Sequence, residues 1–270
     1  AALGGRSAVS GVSARARAVP GRAAWRLSRP LLSFGAAGGF FATTSVATPR
    51  AATCGVRNSE AEAGFAQRLR SMDTCALCDA SEKRARVVST VRPLKSGYQM
   101  VGQALTVAVD GDFLEVLVAI QKARPGDVIM IDASMRGGQE DGSWPRAGGM
   151  FGELLANEAA RRGVAGMVID GNCRDTPLLL EMSLPIYCRG RHPNAGTAKR
   201  RGQTQVEITM GGVRVRPGDY VLGDDDGVVV CSEDELQEWL PKAEAIQQIE
   251  AEMLRHIQSG GSLFDKLPNF

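Results

Sequence analysis

The chain has 270 residues, of which 44% are hydrophobic and 23% are charged. This composition is typical of globular proteins and excludes a collagen-like, wholly disordered or disulfide-stapled chain. The longest mainly apolar stretch, residues 31–41, is too short and too glycine-rich to span a bilayer. Residues 1–59 contain eight arginines and no acid. Because the whole chain has a net charge of +2, the remaining residues carry a net charge of −6. The overall charge is therefore no argument for nucleic-acid binding.

The N-terminal segment, residues 1–58, is rich in Ala, Gly, Ser, Thr and Arg. An arginine-rich, serine-rich segment without acids is typical of an organellar transit peptide, and its few branched hydrophobic residues predict disorder. An ordinary disordered tail or translated upstream sequence is the alternative interpretation. We expect a mitochondrial or plastid location after removal of the segment, and otherwise a cytoplasmic one. The pattern divides the chain into a targeting segment, 1–58, and a folded domain, 59–270.

The folded part carries the signals of alternating helices and strands, followed by closely spaced strands. Helices are predicted from residue 59 onward and at 74–80, 113–122, 150–162 and 176–182. Strands are predicted at 104–109, 128–131, 166–170, 186–189, 207–210, 212–216, 220–224 and 228–231. This order of elements predicts one compact α/β domain with a mixed sheet.

The C-terminal region is predicted to form two helices. Ser232 and Glu235 form an S-x-x-E capping box, as Ser59 and Glu62 do for the first helix. Pro241 should interrupt the helix, because proline lacks an N–H donor and its ring clashes with the preceding turn. Two glycines at 260–261 are expected to end the second helix.

Several residues that often carry chemistry have an ordinary structural interpretation here. Cys75 and Cys78 form a C-x-x-C, but no second pair lies at zinc-ribbon spacing and no His is near, so two buried helix cysteines are expected. The two histidines, His192 and His256, are too few for a His-ligated metal centre or a catalytic triad. The glycine run at 148–152 is not a G-x-G-x-x-G, which argues against a nucleotide-dependent methyltransferase or dehydrogenase.

One constellation has the composition of an anion and cation site. The glycine run at 148–152 predicts a flexible turn before a helix that starts near Glu153, and free amides at a helix start favour a carboxylate. Arg174 and Asp175 follow a predicted strand and are separated from Glu153 by twenty residues. Arg174 can bind a carboxylate bidentately, and Asp175 can hold a hard cation with Glu153 as a direct or water-mediated ligand. A solvated ion pair and a carboxylate that serves only the helix dipole are the alternatives.

Spaced motifs rich in Gly, Pro, Arg and Asp surround this constellation. They are Gly148-Gly149-x-x-Gly152-Glu153-Leu154-Leu155, Gly163-x-x-Gly166-x-Val168-Ile169-Asp170-Gly171-x-x-Arg174-Asp175, Pro185, Arg189-Gly190-x-x-Pro193, Gly211-Gly212-Val213-x-Val215-x-Pro217-Gly218-Asp219 and Asp224-x-Asp226-Gly227-Val228. These motifs resemble those of the RraA-like family, which includes ribonuclease E activity regulator A and 4-hydroxy-4-methyl-2-oxoglutarate aldolase. The resemblance covers about residues 62–257 and is most specific over 148–228. It implies a layered α/β sandwich of the swivelling β/β/α type, assembled as a homotrimer or hexamer with sites between subunits.

The intact Arg-Asp resembles the aldolase class of the family rather than its ribonuclease regulators. The resemblance implies a class II pyruvate aldolase that uses Mg²⁺ or Mn²⁺. Such an enzyme cleaves 4-hydroxy-4-methyl-2-oxoglutarate, or a related 4-hydroxy-2-oxo acid, through a metal-stabilised pyruvate enolate and also decarboxylates oxaloacetate. Arg174, Glu153 and Asp175 would be catalytic, and Asp175 would hold the metal with Glu153, directly or through water. The implied substrate-binding residues are Gly152, Glu153, Leu154, Leu155 and Arg174.

The chain departs from the aldolase pattern at Glu153, where the family has Asp. The extra methylene moves the carboxylate by roughly an ångström, a displacement that matters in catalytic placement. Another 2-oxo or 3-hydroxy acid substrate is therefore a further hypothesis, also favoured by an insertion-like stretch, 135–146, in which Trp144 is expected at a subunit contact. A non-catalytic regulator that binds a ribonuclease or helicase is the main alternative. Asp225-Asp226 predicts a tight turn rather than a second metal site, and neither a nucleic-acid nor a membrane partner is expected.

Overall fold

The computed structural model of the chain describes residues 59–133 and 148–266. The predicted targeting segment, 1–58, lies outside these residues, as does the stretch 135–146 with Trp144. Within the described ranges, no helix combines the length and the apolar character needed to cross a membrane.

The described residues form six α-helices and twelve strands. The α-helices are α1 (Ser59–Leu69), α2 (Thr74–Ala80), α3 (Leu114–Lys122), α4 (Glu153–Arg161), α5 (Thr176–Glu181) and α6 (Glu233–Gln258), and a 3₁₀ helix follows at Leu263–Lys266. The strands are β1 (Arg86–Val87), β2 (Arg92–Pro93), β3 (Met100–Ala108), β4 (Asp127–Asp132), β5 (Gly149–Phe151), β6 (Gly166–Cys173), β7 (Ile186–Arg191), β8 (Gln203–Thr204), β9 (Ile208–Met210), β10 (Val213–Val215), β11 (Tyr220–Gly223) and β12 (Val228–Cys231).

Most strands of the described ranges join one large mixed sheet. Its main path runs β1-β12-β11-β3-β4-β6-β7-β2, with β5 paired to β6 and β8 paired to β3. The central strands β3, β4, β6 and β7 are parallel, whereas β11 is antiparallel to β3 and β2 is antiparallel to β7. Strands β9 and β10 form a separate antiparallel pair. The expected α/β architecture with a mixed sheet is confirmed.

The sheet separates two apolar clusters. Every residue of β4 is buried, as expected for a parallel strand covered on both faces. Along β12, Val228 and Val230 belong to the main core, whereas Val229 and Cys231 pack with α2 and α6 on the other face. This alternation follows from the two-residue period of a strand.

Helix α6 corrects the prediction that Pro241 divides the C-terminal region. The capping box of Ser232 and Glu235 is present, but one helix of 26 residues runs through Pro241. Trp239, Leu240 and other residues on its N-terminal half are buried against the second cluster. Packing on both sides of the proline therefore outweighs the local loss of one hydrogen bond. The helix ends at the predicted glycines: Gly260 follows the C-cap Ser259 with φ 94°, and the Gly261 amide donates to the His256 carbonyl at 3.0 Å.

The C-x-x-C pair lies on α2, as predicted, but its cysteines are not both buried. Cys75 is exposed and Cys78 is partly exposed. The Cys75 thiol lies 3.5 Å from Oδ2 of Asp226, and burial together with this carboxylate raises its pKa to about 11. This shift opposes ionisation of the thiol. All five described cysteines are free.

Candidate functional site

The site forms where two parallel strands end side by side. β5 pairs with the end of β6 through Asn172 and Cys173, and the Arg174 amide donates to the Phe151 carbonyl at 2.9 Å. This pairing places Arg174 and Asp175 next to Gly152, at the start of α4. The start of α4 and the Arg174-Asp175 segment therefore lie together at the ends of these strands.

The glycines before α4 have a different role from the predicted flexible turn. Gly149 lies in β5, and the predicted helix at 150–162 begins only at Glu153. A Cβ atom on Gly149 would lie 3.0 Å from Cβ of Arg174, and one on Gly152 would lie 3.0 Å from its Cγ. The absence of side chains at these positions lets the aliphatic part of Arg174 lie against the backbone of β5. The glycines therefore allow the Arg174 side chain to approach the backbone closely. A sequence motif does not distinguish this role of glycine from flexibility.

Asp175 is held in an uncommon backbone conformation. Its φ and ψ are 57° and 33°, in the left-handed region, and it precedes α5 without capping that helix with its side chain. Its carboxylate instead faces α4, where the Glu153 amide donates to Oδ2 at 3.3 Å. Non-glycine residues in this region are rare and concentrate at functional sites, with Asp and Asn best able to adopt it.

Arg174 and Asp175 form a partly exposed ion pair. Nε of Arg174 lies 3.3 Å from Oδ1 of Asp175, and the two side chains are 38% and 35% exposed. Both contacts of the Asp175 carboxylate are long for charge-assisted hydrogen bonds, so both groups keep bonding capacity for a ligand. The pair is thus arranged as an open polar site rather than as a closed structural salt bridge.

A cavity of about 350 Å³ opens at this pair. Its polar part contains Gly149, Gly152, Arg174 and Asp175. The rest of the wall is apolar and comes from α3, β5, α4 and a neighbouring loop: Phe113, Leu117, Met150, Phe151, Leu154, Leu155 and Ala195. Of the predicted site residues, Glu153 contributes its backbone beside Asp175, but its side chain does not line this cavity.

The start of α4 presents amides that have no acceptor within the helix. Gly152 is the N-cap residue and has no side chain with which to satisfy the first turn, and the first amide to bond back within the helix is that of Ala156. The amides of Glu153, Leu154 and Leu155 therefore precede the regular helical ladder. Such amides, with the helix dipole, favour a bound anion at this position.

Asp112 supports the far wall of the cavity and was not predicted from the sequence. Its Oδ2 accepts hydrogen bonds from the Thr197 hydroxyl at 2.7 Å and from the amides of Lys199 and Arg200 at 2.6 and 2.9 Å, while Oδ1 accepts from the Leu114 amide at 2.9 Å. Burial alone would raise the pKa of Asp112, but these hydrogen bonds outweigh it and lower the pKa to about 2.

The loop held by Asp112 closes back onto β5. The Gly149 amide donates to the Asn194 carbonyl at 2.7 Å, and the Gly196 amide donates to the Gly149 carbonyl at 3.2 Å. Asp112 thus connects the start of α3 with the segment that carries Ala195 into the cavity wall. A single Asp between a strand and a helix has no distinctive sequence signal, which is why only the three-dimensional contacts identify it.

The predicted turn at Asp225-Asp226 is confirmed. The Asp224 amide donates to the Gly227 carbonyl at 3.0 Å, and Oδ1 of Asp224 accepts from the Asp226 amide at 3.0 Å. No group of three or more His, Cys, Asp or Glu side chains within residues 59–133 and 148–266 is arranged to hold a metal ion. The turn joins β11 to β12.

Comparison with known proteins identifies the family. The sequence model of the RraA-like family, described as Aldolase/RraA, matches residues 74–230. The chain belongs to the RraA-like family. It is 38% identical over 190 residues to a protein from Halalkalibacterium halodurans named "Putative 4-hydroxy-4-methyl-2-oxoglutarate aldolase", covering 70% of this chain and 86% of that protein.

Solved structures agree with this RraA-like assignment. Streptomyces coelicolor RraAS2, described as an unusual member of the RNase ES inhibitor RraA protein family, is 28% identical with a TM-score of 0.58, and the match covers 70% of this chain and 94% of that chain. A Pseudomonas syringae protein has a TM-score of 0.65 at 24% identity, covering 75% of this chain and 96% of that one, and supports the fold alone. The matched range contains the site, from Gly149 to Asp175.

Proposed function

We propose that this RraA-like protein is a divalent-metal-dependent pyruvate aldolase that cleaves a 4-hydroxy-2-oxo acid, with oxaloacetate decarboxylation as a second activity. The observation that carries the proposal is the Arg174–Asp175 pair, held open at the N-terminus of α4 inside a cavity of about 350 Å³. The names of relatives such as the H. halodurans protein support the same reaction class.

Arg174 and the first amides of α4 bind the carboxylate of the 2-oxo acid. A guanidinium matches a carboxylate bidentately, and the amides of Leu154 and Leu155 add neutral donors with positive partial charge. Gly152 and Gly149 have no side chains, so the stem of Arg174 lies against the backbone beside the first turn of α4. The 2-oxo group then lies beside the Asp175 carboxylate.

The donor set fits a hard divalent cation. Asp175 presents a partly exposed carboxylate, and Glu153 follows Gly152 on the first turn of α4. Mg²⁺ is typically held by one or two carboxylates together with waters and substrate oxygens, and Mn²⁺ accepts the same ligands. Asp175 would hold the ion, with Glu153 as a direct or water-mediated ligand. When bound, the ion supplies Lewis-acid polarisation of the 2-oxo group.

The chain's own residues account for charge stabilisation during cleavage. The C3–C4 bond breaks, its electron pair remains on the pyruvate part as an enolate, and the C4 hydroxyl loses its proton as C4 becomes a carbonyl carbon. Negative charge develops next to the Arg174 guanidinium and the amides of α4, which are fixed before the reaction. Among the described residues that line the cavity there is no lysine, so a Schiff base has no nucleophile there.

Glu153 is the residue that we assign to proton exchange with solvent. Its carboxylate lies on the first turn of α4, outside the cavity lining, and its backbone contacts Asp175. From this position it relays a proton through water to C3 of the enolate rather than contacting the substrate directly. Because the Glu153 side chain is one methylene longer than that of Asp, it changes the path of the proton through water rather than the binding of the substrate carboxylate.

The test is pyruvate release from 4-hydroxy-4-methyl-2-oxoglutarate and from oxaloacetate, measured with Mg²⁺ or Mn²⁺ and again with EDTA. Wild-type protein should release pyruvate in a chelator-sensitive way. Arg174→Ala and Asp175→Asn should each lower kcat/KM by at least about 10²-fold, because each removes charge stabilisation of the transition state. Arg161→Ala and Asp234→Asn, on exposed helix positions, are matched controls that should retain activity. Full activity in Arg174→Ala would contradict the assignment.

A regulatory role is the second candidate, because RraAS2 is described as a member of a family of RNase inhibitors. A regulator that only binds a ribonuclease or helicase needs no metal and no intact Arg174–Asp175 pair. Binding to such a partner that persists in EDTA and in Asp175→Asn, without pyruvate release from either substrate, would favour this role over the aldolase.

A further inference from the structure

Two cysteine side chains meet inside the sheet, next to the segment that carries the Arg-Asp pair. Cys173 is the last residue of β6, and Cys188 lies on the neighbouring strand β7. Their Sγ atoms are 3.6 Å apart, and both thiols are free. Cys173 is fully buried, whereas Cys188 is 5% exposed. This contact places the two reactants of a disulfide bond side by side, and the aldolase function proposed above uses neither of them.

The backbone around the two thiols is not arranged for a relaxed disulfide. In the register of β6 and β7, Cys188 lies opposite Ile169 and Cys173 lies opposite Arg191, with an irregularity in between. The cysteines are therefore offset along the strands, and their side chains converge from different positions. Since the sulfurs start 3.6 Å apart and a disulfide measures about 2.0 Å, they must approach by about 1.6 Å to bond. Because of the offset, this approach moves the backbone as well as the side chains.

Movement of Cys173 is transmitted to the start of α4. The Cys173 carbonyl accepts a hydrogen bond from the His192 amide at 2.9 Å, and the next amide in the chain, that of Arg174, donates to the Phe151 carbonyl at 2.9 Å. These bonds hold the end of β6 between β5 and the residues that follow β7. A shift of Cys173 towards its partner thiol therefore displaces Arg174 from its observed position.

We propose that Cys173 and Cys188 are a site of reversible oxidation, at which hydrogen peroxide converts the two thiols into a disulfide that displaces Arg174. Cys188, the more exposed thiol, reacts first: its sulfur attacks one peroxide oxygen, the O–O bond breaks, and a sulfenic acid and one water form. The Cys173 sulfur then attacks the sulfenic sulfur, the S–O bond breaks, and a second water leaves. The two thiols lose two protons and two electrons, and the peroxide is reduced to two waters.

The same geometry makes the modification specific and reversible. Burial of both thiols restricts the oxidant to a small uncharged molecule such as hydrogen peroxide. A disulfide formed against the native backbone is strained, and strained disulfides are more easily reduced than structural ones. Thiols such as glutathione therefore restore the reduced pair once peroxide is removed. The effect on turnover rests on the aldolase function proposed above, whereas the oxidation itself does not.

The first test maps the bond in the full chain. Protein treated with hydrogen peroxide is alkylated with N-ethylmaleimide and digested with trypsin, which places the two cysteines on separate peptides, 163–174 and 175–189, without any other cysteine. We expect these peptides to be linked, with a mass two hydrogens below their sum, and to separate after treatment with dithiothreitol. Separately alkylated peptides, or oxidation to sulfinic acid without a link, would overturn the proposal.

Two cysteine variants control for the route of oxidation. Cys188→Ala removes one partner and should abolish the link. Cys75→Ser changes an exposed cysteine on α2 and should keep the wild-type yield of linked peptide. Loss of the link in Cys75→Ser would show that the bond forms through an exposed thiol, and would overturn direct oxidation of the buried pair.

The second test measures what the bond does to the site. After removal of peroxide, exchange of pyruvate methyl hydrogens with D₂O is followed by NMR in the presence of Mg²⁺. The oxidised wild type should exchange at least about tenfold more slowly than the reduced protein, because small displacements of catalytic groups are costly, and should recover with dithiothreitol. Cys188→Ala should keep at least about half of its rate after peroxide treatment. Unchanged exchange in fully linked wild-type protein would overturn the displacement of Arg174.

The two tests separate this inference from the function on which its second part rests. The peptide link requires no catalytic activity, so its absence would overturn the oxidation site alone. Absence of exchange in reduced, folded and metal-supplemented protein would overturn the aldolase function, while the linked peptides would still establish the oxidation site.

Discussion

Gly152→Ala tests whether the close approach of Asp175 and Arg174 to the start of α4 is needed for activity. A Cβ atom at this position would lie 2.6 Å from Oδ2 of Asp175 and 3.0 Å from Cγ of Arg174. Ordinary contacts begin at 3.4 Å, so the Asp175 carboxylate must move by about 0.8 Å. The backbone itself accepts alanine, because Gly152 has an extended conformation with φ −153° and ψ −170°.

The expected effect of Gly152→Ala is on turnover and not on folding. A displacement of 1 Å in a catalytic group costs about 10²-fold, so kcat/KM for pyruvate release should fall about 30- to 100-fold. The free energy of unfolding should change by less than about 1 kcal/mol, since alanine reduces the entropy of the unfolded chain while the contact with Asp175 offsets that gain. Urea unfolding followed by circular dichroism, together with steady-state kinetics, measures both quantities.

Gly64→Ala is the control for this substitution. A Cβ atom at Gly64, on α1, would meet nothing within 4 Å, so this variant should keep wild-type kcat/KM. Wild-type activity in Gly152→Ala would refute the argument that Arg174 and Asp175 act from their observed positions. A loss of activity that is merely proportional to the fraction of unfolded protein would refute the argument as well.

Two further predictions concern stability. Asp112→Asn should lower the free energy of unfolding by about 2 kcal/mol at pH 7, because the pKa of Asp112 is about 2 in the folded protein and 3.8 ordinarily. This contribution is complete above about pH 5 and is lost progressively as the pH falls through 2 towards about 1. The difference between the two proteins in urea titrations should therefore shrink from about pH 5 to pH 2, and an undiminished difference at pH 2 would contradict the prediction. Pro241→Ala should raise the free energy of unfolding by about 1 to 3 kcal/mol, because it restores an N–H donor inside α6. Calorimetry that shows no gain in stability would contradict a helix that is continuous through residue 241.

Local sequence signals predicted much of this fold. The apolar runs at 128–131 and 228–231 are strands, as predicted. A short run of mostly β-branched residues between turn signals favours a buried strand in most proteins. The box at Ser232 starts its helix as predicted. The neighbourhood of Arg174 and Asp175 was also predictable, because strand ends in a parallel sheet meet at one edge.

The remaining features depend on contacts between distant parts of the chain. The sequence pattern places residues 150–151 in a helix, but pairing of β5 with β6 makes them part of a strand. Pro241 signals a break that buried neighbours on α6 override. The apolar wall of the cavity and the role of Asp112 arise from α3 and the loop after residue 192, which no local pattern connects to Arg174. The expected oligomer, the organelle and the targeting segment stay predictions.

The central claim is that Arg174 and Asp175 support enolate chemistry on pyruvate. Its most direct measurement is the exchange of pyruvate methyl hydrogens in D₂O, followed by NMR with Mg²⁺ or Mn²⁺ and again with EDTA, in wild-type protein and in Asp175→Asn. Asparagine also accepts the left-handed backbone of this position, so the variant removes the charge and keeps the fold. We expect cation-dependent exchange in the wild type and its loss in Asp175→Asn. No exchange in folded wild-type protein, or equal exchange in the variant, would contradict the claim.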